Sequence, residues 1–438
     1  MRERAIDRSA SLVVLVCALT FVGGYALKAR CTALQWDGQQ YAQLCYNDIQ
    51  PLYGQRGVED RVFPYIDGRL VDGELKGGAI EYPVLTGLFM WATGLLVSDW
   101  GTYLLISAIL LAPFGLLVAY LLARMSGARA FLWSAAPAMV LYAFHNWDLL
   151  VVAAAVAGFW LWSRGRSRGA AALFGVGAAV KMFPIFFLGP LVLERWHTRG
   201  WRDALKCGAV GIGTWALINL PFVLIDRTGW WTTYEFHRLR TADFNSIWIW
   251  GLRSGESLRD ALAGAGSLAF DAARLNLLTS GLTAASFLVA LGVGWWRARR
   301  EGTYPVVQVC GALLVAFMLW NKVHSPQYAL WLLPFFVLIG IHWFWWVAYS
   351  IADLAVYIGI FRWFYDFSVS QNAATMTAAK WTLVWGVRAR GLLLLLLFVA
   401  FLMAKKVRVE RSAETQTTVV SQGSPSVIDA GDRGPVRG

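Results

Sequence analysis

The sequence predicts an all-α polytopic membrane protein, and three observations support this fold class. Of its 438 residues, 58% are hydrophobic and 15% are charged, and the mean hydropathy is +0.51, whereas soluble domains usually contain about 25% charged residues. Several apolar runs approach the ~20 residues that a helix needs to cross the hydrocarbon core. Lysine and arginine, which give a net charge of +12, stand in short clusters between these runs, as topology signals do. We therefore expect contact with membrane lipids and no nucleic-acid partner.

Twelve membrane-spanning helices are expected from the apolar runs. The first, residues 11–28, follows the basic stretch MRERAIDR, and we expect it to be retained because no small-residue cleavage site with a soluble domain follows it. The other spans are expected at 101–123, 131–144, 149–163, 170–180, 183–193, 207–225, 275–296, 304–320, 328–341, 343–360 and 391–404.

The apolar run 84–97 is treated differently, because its length and the charges that follow it decide the topology. As a helix it would reach only ~21 Å, which is short of a ~30 Å hydrocarbon core. If it did cross, Arg124 and Arg129 would lie on the side opposite the N-terminus, against the positive-inside rule. We therefore predict an interfacial helix at 84–97 and place both termini in the cytoplasm.

These spans define one transmembrane domain, residues 1–405, and a tail, residues 406–438. Two long segments, 28–83 and 226–274, are expected on the outer side of the membrane. The tail is rich in Ser, Thr, Gly and Val without a periodic pattern, so we expect it to be disordered and cytoplasmic. Two arginines do not fit the charge pattern, because they flank the last expected span on its outer side: Arg388 and Arg390.

Two of the five cysteines, Cys31 and Cys45, fall in the outer segment 28–83. They could pair if that side is oxidising, and two free thiols are equally compatible with the sequence; the spacing fits no metal site. The other cysteines stand within apolar runs and are expected to fill space in the core: Cys17, Cys207 and Cys310.

Several consecutive spans between residues 131 and 193 are short, and this predicts a recessed site on the outer side. Helices too short to cross imply a thinned membrane or a water-filled cavity, into which the turns HNWD and KMFP would be drawn. Ionisable residues at such a surface are candidates for function. On the outer face these are Asp48, Asp60, Asp67, Glu81, Asp148, Lys181, His237, Arg238, Arg240 and His324.

Among the acids, Asp48 stands in the stretch YNDIQP, just before an expected turn. An ionised carboxylate there could accept a proton from a hydroxyl, but aspartate is also common as a helix cap or turn residue. Glu81 in EYPVLTG and Asp148 in HNWD begin expected helices. For both, substrate binding competes with a structural role at the helix N-terminus.

Among the basic residues, Lys181 interrupts the apolar stretch GVGAAVKMFP. It could bind a phosphate as a compact charge or extend to the lipid headgroups. His324 could be a general acid, a hydrogen-bond donor to a phosphate or a metal ligand. A histidine without neighbouring His or carboxylate ligands argues against a metal site. The stretch YEFHRLR, with His237, Arg238 and Arg240, fits either anion binding or anchoring at the membrane interface.

Asp353 lies in the middle of an expected span, in YSIADLAVYIGI. A charge at that depth costs ~2.5–3.5 kcal/mol on insertion scales, so it should face protein or water. It is the residue that most favours a transporter.

The order of these motifs resembles the GT-C membrane glycosyltransferases, in particular glycosyltransferase family 87. The motifs are YNDIQPLY, FPYID, EYPVLTG, NWDLL, GVGAAVKMFP and HSPQYALWLLP, and the resemblance covers about residues 10–405. It implies a GT-C fold of about twelve transmembrane helices with interfacial helices in long outer loops. It also implies a polyprenyl-phosphate-mannose-dependent α-mannosyltransferase of the actinobacterial type, located in the plasma membrane.

Such an enzyme would transfer mannose from a polyprenyl-phosphate donor to a hydroxyl of a cell-envelope glycolipid on the extracytoplasmic face, with inversion. The resemblance implies that Asp48 is the catalytic base and that Lys181, His324 and Arg238 or Arg240 hold the phosphate. Glu81, Tyr82, Asp148 and His237 complete the expected substrate-binding set. No cofactor is required and a divalent metal is possible. The alternatives are a transporter or flippase of polyprenyl-linked sugars, an arabinofuranosyltransferase of the same architecture, and an inactive relative that serves as a scaffold.

Overall fold

The computed structural model describes residues 2–251 and 272–405, which are mainly α-helical. The helices are Arg2–Ala29 (α1), Gln39–Ala42 (α2), Ile49–Gln55 (α3), Val84–Gly94 (α4), Trp100–Ser126 (α5), Phe131–Ser134 (α6), Pro137–Tyr142 (α7), Asp148–Ser163 (α8), Ser167–Val180 (α9), Leu188–Arg199 (α10), Trp201–Ile225 (α11), Arg227–Leu239 (α12), Ala272–Glu301 (α13), Val306–Trp320 (α14), Ala329–Leu338 (α15), Phe344–Tyr365 (α16) and Ala373–Met403 (α17). Two short strands, Arg69–Val71 (β1) and Glu74–Lys76 (β2), form an antiparallel hairpin.

Within the described ranges, six apolar helical segments are long enough to cross a membrane. Each overlaps at least one of the twelve expected spans, and their bounds are Ser9–Ala33, Trp100–Ser134, Trp201–Ile225, Ala273–Glu301, Phe344–Ser370 and Ala373–Met403. The chain is therefore an all-α integral membrane protein, as its composition predicts. Shorter apolar helices cover four more expected spans, and the total of twelve stays a prediction.

The expected span 131–144 is not one continuous helix. It is divided between α6 and α7, and the chain between them is extended at Ala136, with φ −69° and ψ 137°. Pro137 explains the interruption, because a proline disfavours the helical conformation of the residue before it. The chain then reaches the HNWD turn through two short helices rather than through a full membrane span.

The expected span 183–193 also differs from the structure. Lys181 is extended, with φ −157° and ψ 134°, and a 3₁₀ turn at Phe183–Phe187 precedes α10. Pro184 stands at the start of this turn, where its missing N–H is tolerated. The backbone between α9 and α10 is thus irregular where the KMFP motif stands.

The last expected span, 391–404, begins much earlier than predicted, since α17 starts at Ala373. Asn372 caps it by accepting hydrogen bonds from the backbone N–H groups of the next turn. Arg388 and Arg390 therefore lie within the helix and do not flank it. Hydropathy placed the start too late because the two arginines interrupt an otherwise apolar run.

Arg390 lies opposite Asp353, the residue that favoured a transporter. Its Nη1 is 3.3 Å from Asp353 Oδ1, the side chains are 2% and 3% exposed, and Nη2 donates to the Asn245 carbonyl at 2.6 Å. A buried charge is tolerated when it is paired and hydrogen-bonded. This ion pair explains how Asp353 is accommodated without assigning it a function.

The segment 28–83, which is predicted to lie on the outer side, contains α2, α3 and the β-hairpin, and a disulfide joins Cys31 to Cys45. Asp226, before α12, fixes the hairpin by accepting hydrogen bonds from the Asp67 N–H and from Arg69, both at 2.9 Å. Helix α4 corresponds to the predicted interfacial helix, and Thr86 donates to the carbonyl at the end of α9 at 2.7 Å. Its place at a membrane surface stays a prediction.

Two predicted segments fall wholly or partly outside the described residues. The second outer segment, 226–274, is described only at its ends, where α12 occupies most of the first part. The predicted disordered tail, 406–438, lies outside the described residues. The bounds of the predicted domains stay predictions.

Candidate active site

A cavity of about 1580 Å³ lies where α3, α12 and the loops beside α4, α8 and α9 meet. Aromatic side chains form much of its wall, among them Trp36, Tyr41, Tyr46, Trp100, Phe361 and Phe364. Most of the predicted site residues line it: Asp48, Glu81, Tyr82, Lys181, His237 and Arg240. The sequence motifs that were proposed as one site therefore do come together in space.

Asp48 is held at the cavity by the HNWD turn. Its backbone N–H donates to the His145 carbonyl at 2.8 Å, and its Oδ2 accepts from Asn146 Nδ2 at 2.9 Å. Asp48 does occupy the N-cap position of α3, but within the described residues its side chain makes no capping bond. The carboxylate, 22% exposed, is thus available to a molecule in the cavity.

The protonation of Asp48 is set by opposing influences. Burial raises the pKa of its carboxyl group, while hydrogen bonds from Asn146 and Tyr46 and the charges of Lys181 and Lys28 lower it. The net direction is upward. A carboxylate with a raised pKa is a stronger base than an exposed aspartate, and this is the property that general-base catalysis uses.

Asn146 connects Asp48 to Tyr82. The second N–H of its amide lies 2.7 Å from the Tyr82 hydroxyl, so one amide fixes both side chains. Burial, followed by the charges of Asp48 and Glu81, raises the pKa of Tyr82 well above its usual value, and the phenol stays neutral. Tyr82 therefore presents an aromatic face and a neutral hydroxyl beside the carboxylate.

Lys181 lies between an acid and a group of aromatic rings. Its Nζ is 2.8 Å from Asp148 Oδ1 and 5.2–5.7 Å from the ring centres of Tyr82, Tyr328 and Trp331. Trp331 Nε1 also donates to Asp148 Oδ1 at 2.5 Å. Asp148 is fully buried behind the lysine and, as far as the described residues define the cavity, does not line it. It acts on the cavity through Lys181.

Glu81 has a cation of its own, Arg56 from the end of α3. The guanidinium contacts both carboxylate oxygens, Nε–Oε2 at 2.6 Å and Nη2–Oε1 at 3.0 Å, which is the strong bidentate geometry. His237 Nε2 lies 2.8 Å from the Glu81 carbonyl. This arrangement fixes the start of α4 to α3 and α12 and compensates the Glu81 charge.

A second basic group lines the cavity at Arg240 and Lys322. Lys322 Nζ donates to Asn276 Oδ1 at 2.7 Å and to the Arg238 carbonyl at 3.0 Å. Burial and, next, the charge of Arg240 lower the pKa of Lys322 to about 8. Two cations held close together lose part of this mutual repulsion when an anion binds between them, so this part of the cavity suits a phosphate.

Two of the predicted phosphate contacts lie elsewhere. His324 is buried, its Nδ1 faces the Met318 carbonyl at 2.9 Å, and in the described part of the chain it does not reach the cavity wall. The Arg238 side chain is 62% exposed and 3.4 Å from Glu235, likewise away from the described cavity lining. Arg240, the other predicted arginine, lines the cavity, and so does Lys322, which was not predicted.

Five residues that contact or surround the site were not among the predicted site residues: Lys28, Arg56, His145, Asn146 and Lys322. His145 and Asn146 could have been found, because they belong to the HNWD turn that was already chosen for Asp148. Lys28 looked like the ordinary basic end of the first span. Within the described ranges no group of three His, Cys, Asp or Glu side chains could hold a metal ion.

A helical membrane protein with a carboxylate and several cations around one large cavity has the form of a membrane enzyme. The model of glycosyltransferase family 87 matches residues 80–326, more than half of the chain. The chain belongs to this family and is a glycosyltransferase. No curated protein and no solved structure was found to match it. The match includes Tyr82, Lys181 and Arg240 but begins after Asp48.

Proposed function

We propose that this glycosyltransferase moves mannose from a polyprenyl-phosphate-mannose donor to a hydroxyl of a cell-envelope glycolipid, with Asp48 as general base. The observation that carries the proposal is that Asp48 shares one cavity with Lys181, Arg240 and Lys322. The reaction needs both kinds of group, a base for the acceptor and cations for the departing phosphate. The resemblance of the motif order to polyprenyl-phosphate-mannose enzymes supports the choice of donor.

In the proposed step Asp48 takes the proton of the acceptor hydroxyl while the hydroxyl oxygen attacks the anomeric carbon. The new carbon–oxygen bond forms as the bond to the donor phosphate breaks, and the bonding electron pair leaves with the phosphate. A single displacement inverts the anomeric carbon, so a β-linked donor gives an α-mannoside. A positioned base contributes roughly 10²–10⁴-fold to such a rate.

Arg240 and Lys322 are the proposed partners of the leaving phosphate. Their charges reduce the cost of the negative charge that develops as the bond breaks. Lys181 is already paired with Asp148 at 2.8 Å, so we assign it to orienting the donor next to Tyr82. No cofactor is part of the proposal, and a divalent metal would be supplementary because a monophosphate carries little charge to neutralise.

We place the reaction on the extracytoplasmic face of the plasma membrane, with both termini in the cytoplasm. Two features support this placement. The first is the positive-inside pattern of the short loops. The second is the disulfide between Cys31 and Cys45, close in sequence to Asp48, because disulfides persist on the oxidising side of a membrane. The acceptor is proposed to be a glycolipid because donor and acceptor must reach the same membrane-embedded cavity.

The rival transporter function loses its main support, since Asp353 is paired with Arg390. An arabinofuranosyltransferase of the same architecture would need a similar base and similar cations. The experiment must therefore distinguish mannose from arabinose as the donor sugar.

The test uses the purified full chain in liposomes. The liposomes contain a lipid extract from a strain in which the gene for this protein has been deleted, so that the acceptor is present without the added sugar. Polyprenyl-phosphate [¹⁴C]mannose and polyprenyl-phosphate [¹⁴C]arabinose are supplied in parallel. We expect label from mannose to appear in a glycolipid as an α-linked residue. Label from arabinose alone would replace the proposed donor, and vectorial movement of intact donor without transfer would support the transporter.

A further inference from the structure

Lys28 is a fully buried cation in the last turn of α1, directly behind the catalytic base. Its Nζ has three neighbours at hydrogen-bond distance: the Tyr46 carbonyl at 2.7 Å, the Tyr357 hydroxyl at 3.1 Å and His145 Nδ1 at 3.3 Å. The carbonyl and the hydroxyl are uncharged acceptors, and His145 Nδ1 is an uncharged acceptor when the ring is neutral with its hydrogen on Nε2. A lysine is rarely buried in this way without a charged partner, so its charge requires an explanation.

The hydrogen atoms around Lys28 can be assigned from the geometry. The Tyr357 hydroxyl donates its hydrogen to the Leu44 carbonyl at 2.5 Å, so it accepts from Lys28, and the Tyr46 carbonyl can only accept. An ammonium group has three N–H donors, and the third points at His145 Nδ1. The arrangement therefore suits a protonated Lys28 and a neutral His145 with its hydrogen on Nε2.

The other nitrogen of His145 faces the base. His145 Nε2 is 3.9 Å from Asp48 Oδ2, and the His145 carbonyl accepts the Asp48 backbone N–H at 2.8 Å. The ring is buried, with Tyr46 at 5.7 Å between ring centres on one side. Lys28, His145 and Asp48 thus form a line that runs from the end of α1 to the cavity.

The other charged groups around Asp48 are already compensated. Lys181 is paired with Asp148, and Glu81 with Arg56, whereas the three bonds of Lys28 go to uncharged acceptors. The charge of Lys28 acts on both His145 and Asp48, and it adds to the charge of Lys181 at Asp48. The titratable groups that face Asp48 from the surrounding elements are Lys28, Tyr41, Tyr46, Glu81, Tyr82, His145, Asp148, Lys181 and Tyr357.

We propose that Lys28 and His145 are positioning residues for the base: Lys28 fixes the tautomer and ring of His145, and together they orient the Asp48 carboxylate and hold it in its charged form. In the described cavity lining Lys28 is absent, whereas His145 forms part of the wall beside Asp48, and we assign both residues to positioning Asp48. The proposal rests on the function of Asp48 proposed above. Burial favours protonation of Asp48, and the fixed cation behind it offsets that tendency, so the base is ready before the acceptor enters.

The test is the pH dependence of mannosyl transfer by Lys28→Met in isolated membranes, with polyprenyl-phosphate [¹⁴C]mannose as the probe. Methionine fills a similar volume without the charge. We expect the acid limb of kcat to move up by about one pH unit, with activity partly recovered at higher pH and the donor KM unchanged. An acid limb at the wild-type pH, with or without a lower plateau, would overturn the proposal.

A matched control removes two buried charges elsewhere, Asp353→Asn together with Arg390→Met. It tests whether loss of buried charges anywhere shifts the profile, and we expect its acid limb to stay at the wild-type pH. A shift equal to that of Lys28→Met would contradict a specific role for Lys28.

A second pair of variants applies if Lys28→Met does not accumulate in membranes. His145→Gln keeps an amide N–H near the position of Nε2, whereas His145→Ala removes it. We expect kcat to fall at least about tenfold more in His145→Ala than in His145→Gln, and equal losses would overturn the proposal. Full transfer by Asp48→Asn would instead show that the proposed function itself is wrong, which separates the two failures.

Discussion

Among the described residues, the ion pairs Asp353–Arg390 and Asp148–Lys181 each contain a buried carboxylate, and the two pairs differ in what they face. Asp353 and Arg390 close on each other between α16 and α17, with side chains that are 3% and 2% exposed. Lys181 covers the fully buried Asp148 but keeps 16% of its own side chain exposed at the cavity wall. A charge of the open pair can act on a molecule in the cavity, whereas the charges of the closed pair can act only on each other and on the surrounding protein.

Breaking the closed pair should give the largest loss of stability. Arg390→Met leaves Asp353 buried without its cation, which costs about 3–5 kcal/mol, so we expect a lower unfolding temperature in detergent. The double variant Asp353→Asn/Arg390→Met should recover part of the loss. If the single variant is as stable as the wild type, the pair does not stabilise the α16–α17 contact.

Removing a cation that faces the cavity should instead affect substrate binding. For Lys322→Met we expect the KM for the lipid-linked donor to rise about 10- to 100-fold, since a charged hydrogen bond contributes about 1.5–3 kcal/mol. Lys322→Arg should retain most of the affinity, and Lys206→Met, at an exposed position of α11, is the control. An unchanged donor KM in Lys322→Met would place the phosphate elsewhere.

Two ionisable groups that face the cavity, Asp48 and Lys322, also predict a bell-shaped pH profile of transfer. The base must be ionised, and the pKa of Asp48 is raised by burial, so activity should fall on the acid side at a higher pH than an exposed aspartate would give. The pKa of Lys322 is about 8, so its charge and donor binding should be lost as the pH rises through this value. Lys322→Arg should move the alkaline limb upward, and a profile that keeps the same limb would contradict this assignment.

The smallest effect is expected at Arg238. Its side chain is 62% exposed and loosely paired with Glu235, and such surface pairs contribute about 0–1 kcal/mol. Arg238→Ala should therefore change transfer less than about twofold, in contrast with Arg240→Ala. Equal losses in the two variants, measured as kcat/KM, would mean that Arg238 also enters the site.

The sequence alone predicted that the chain is a membrane protein, and it predicted several of the residues that line the cavity. Hydropathy predicted a span at each of the six long apolar segments of the described residues, because helices such as α5 and α11 are long and continuous. The turns HNWD and KMFP meet at the contact between Asp148 and Lys181, and the short expected spans on both sides of them had suggested a common site. Asp48, Tyr82 and Lys181 could be chosen because polar residues stand out in an apolar chain.

Other parts depend on contacts between distant residues, and no local pattern reports them. Arg390 meets Asp353 across two helices, so the last span was started too late. Lys28 meets His145 from the opposite end of a long stretch of sequence, and it looked like a membrane-flanking lysine. Lys322 was missed, and His324 and Arg238 were included beside Arg240, because the direction of a side chain on a loop or at a helix end cannot be derived from its neighbours.

The most direct test of the central proposal is mannosyl transfer by Asp48→Asn. Asparagine keeps the shape and one acceptor oxygen but cannot take up the proton, so we predict that kcat falls roughly 10²–10⁴-fold while the protein accumulates normally. Asp60→Asn, at an exposed position of the same segment, is the matched control and should retain full activity. Transfer by Asp48→Asn at the wild-type rate would contradict the account.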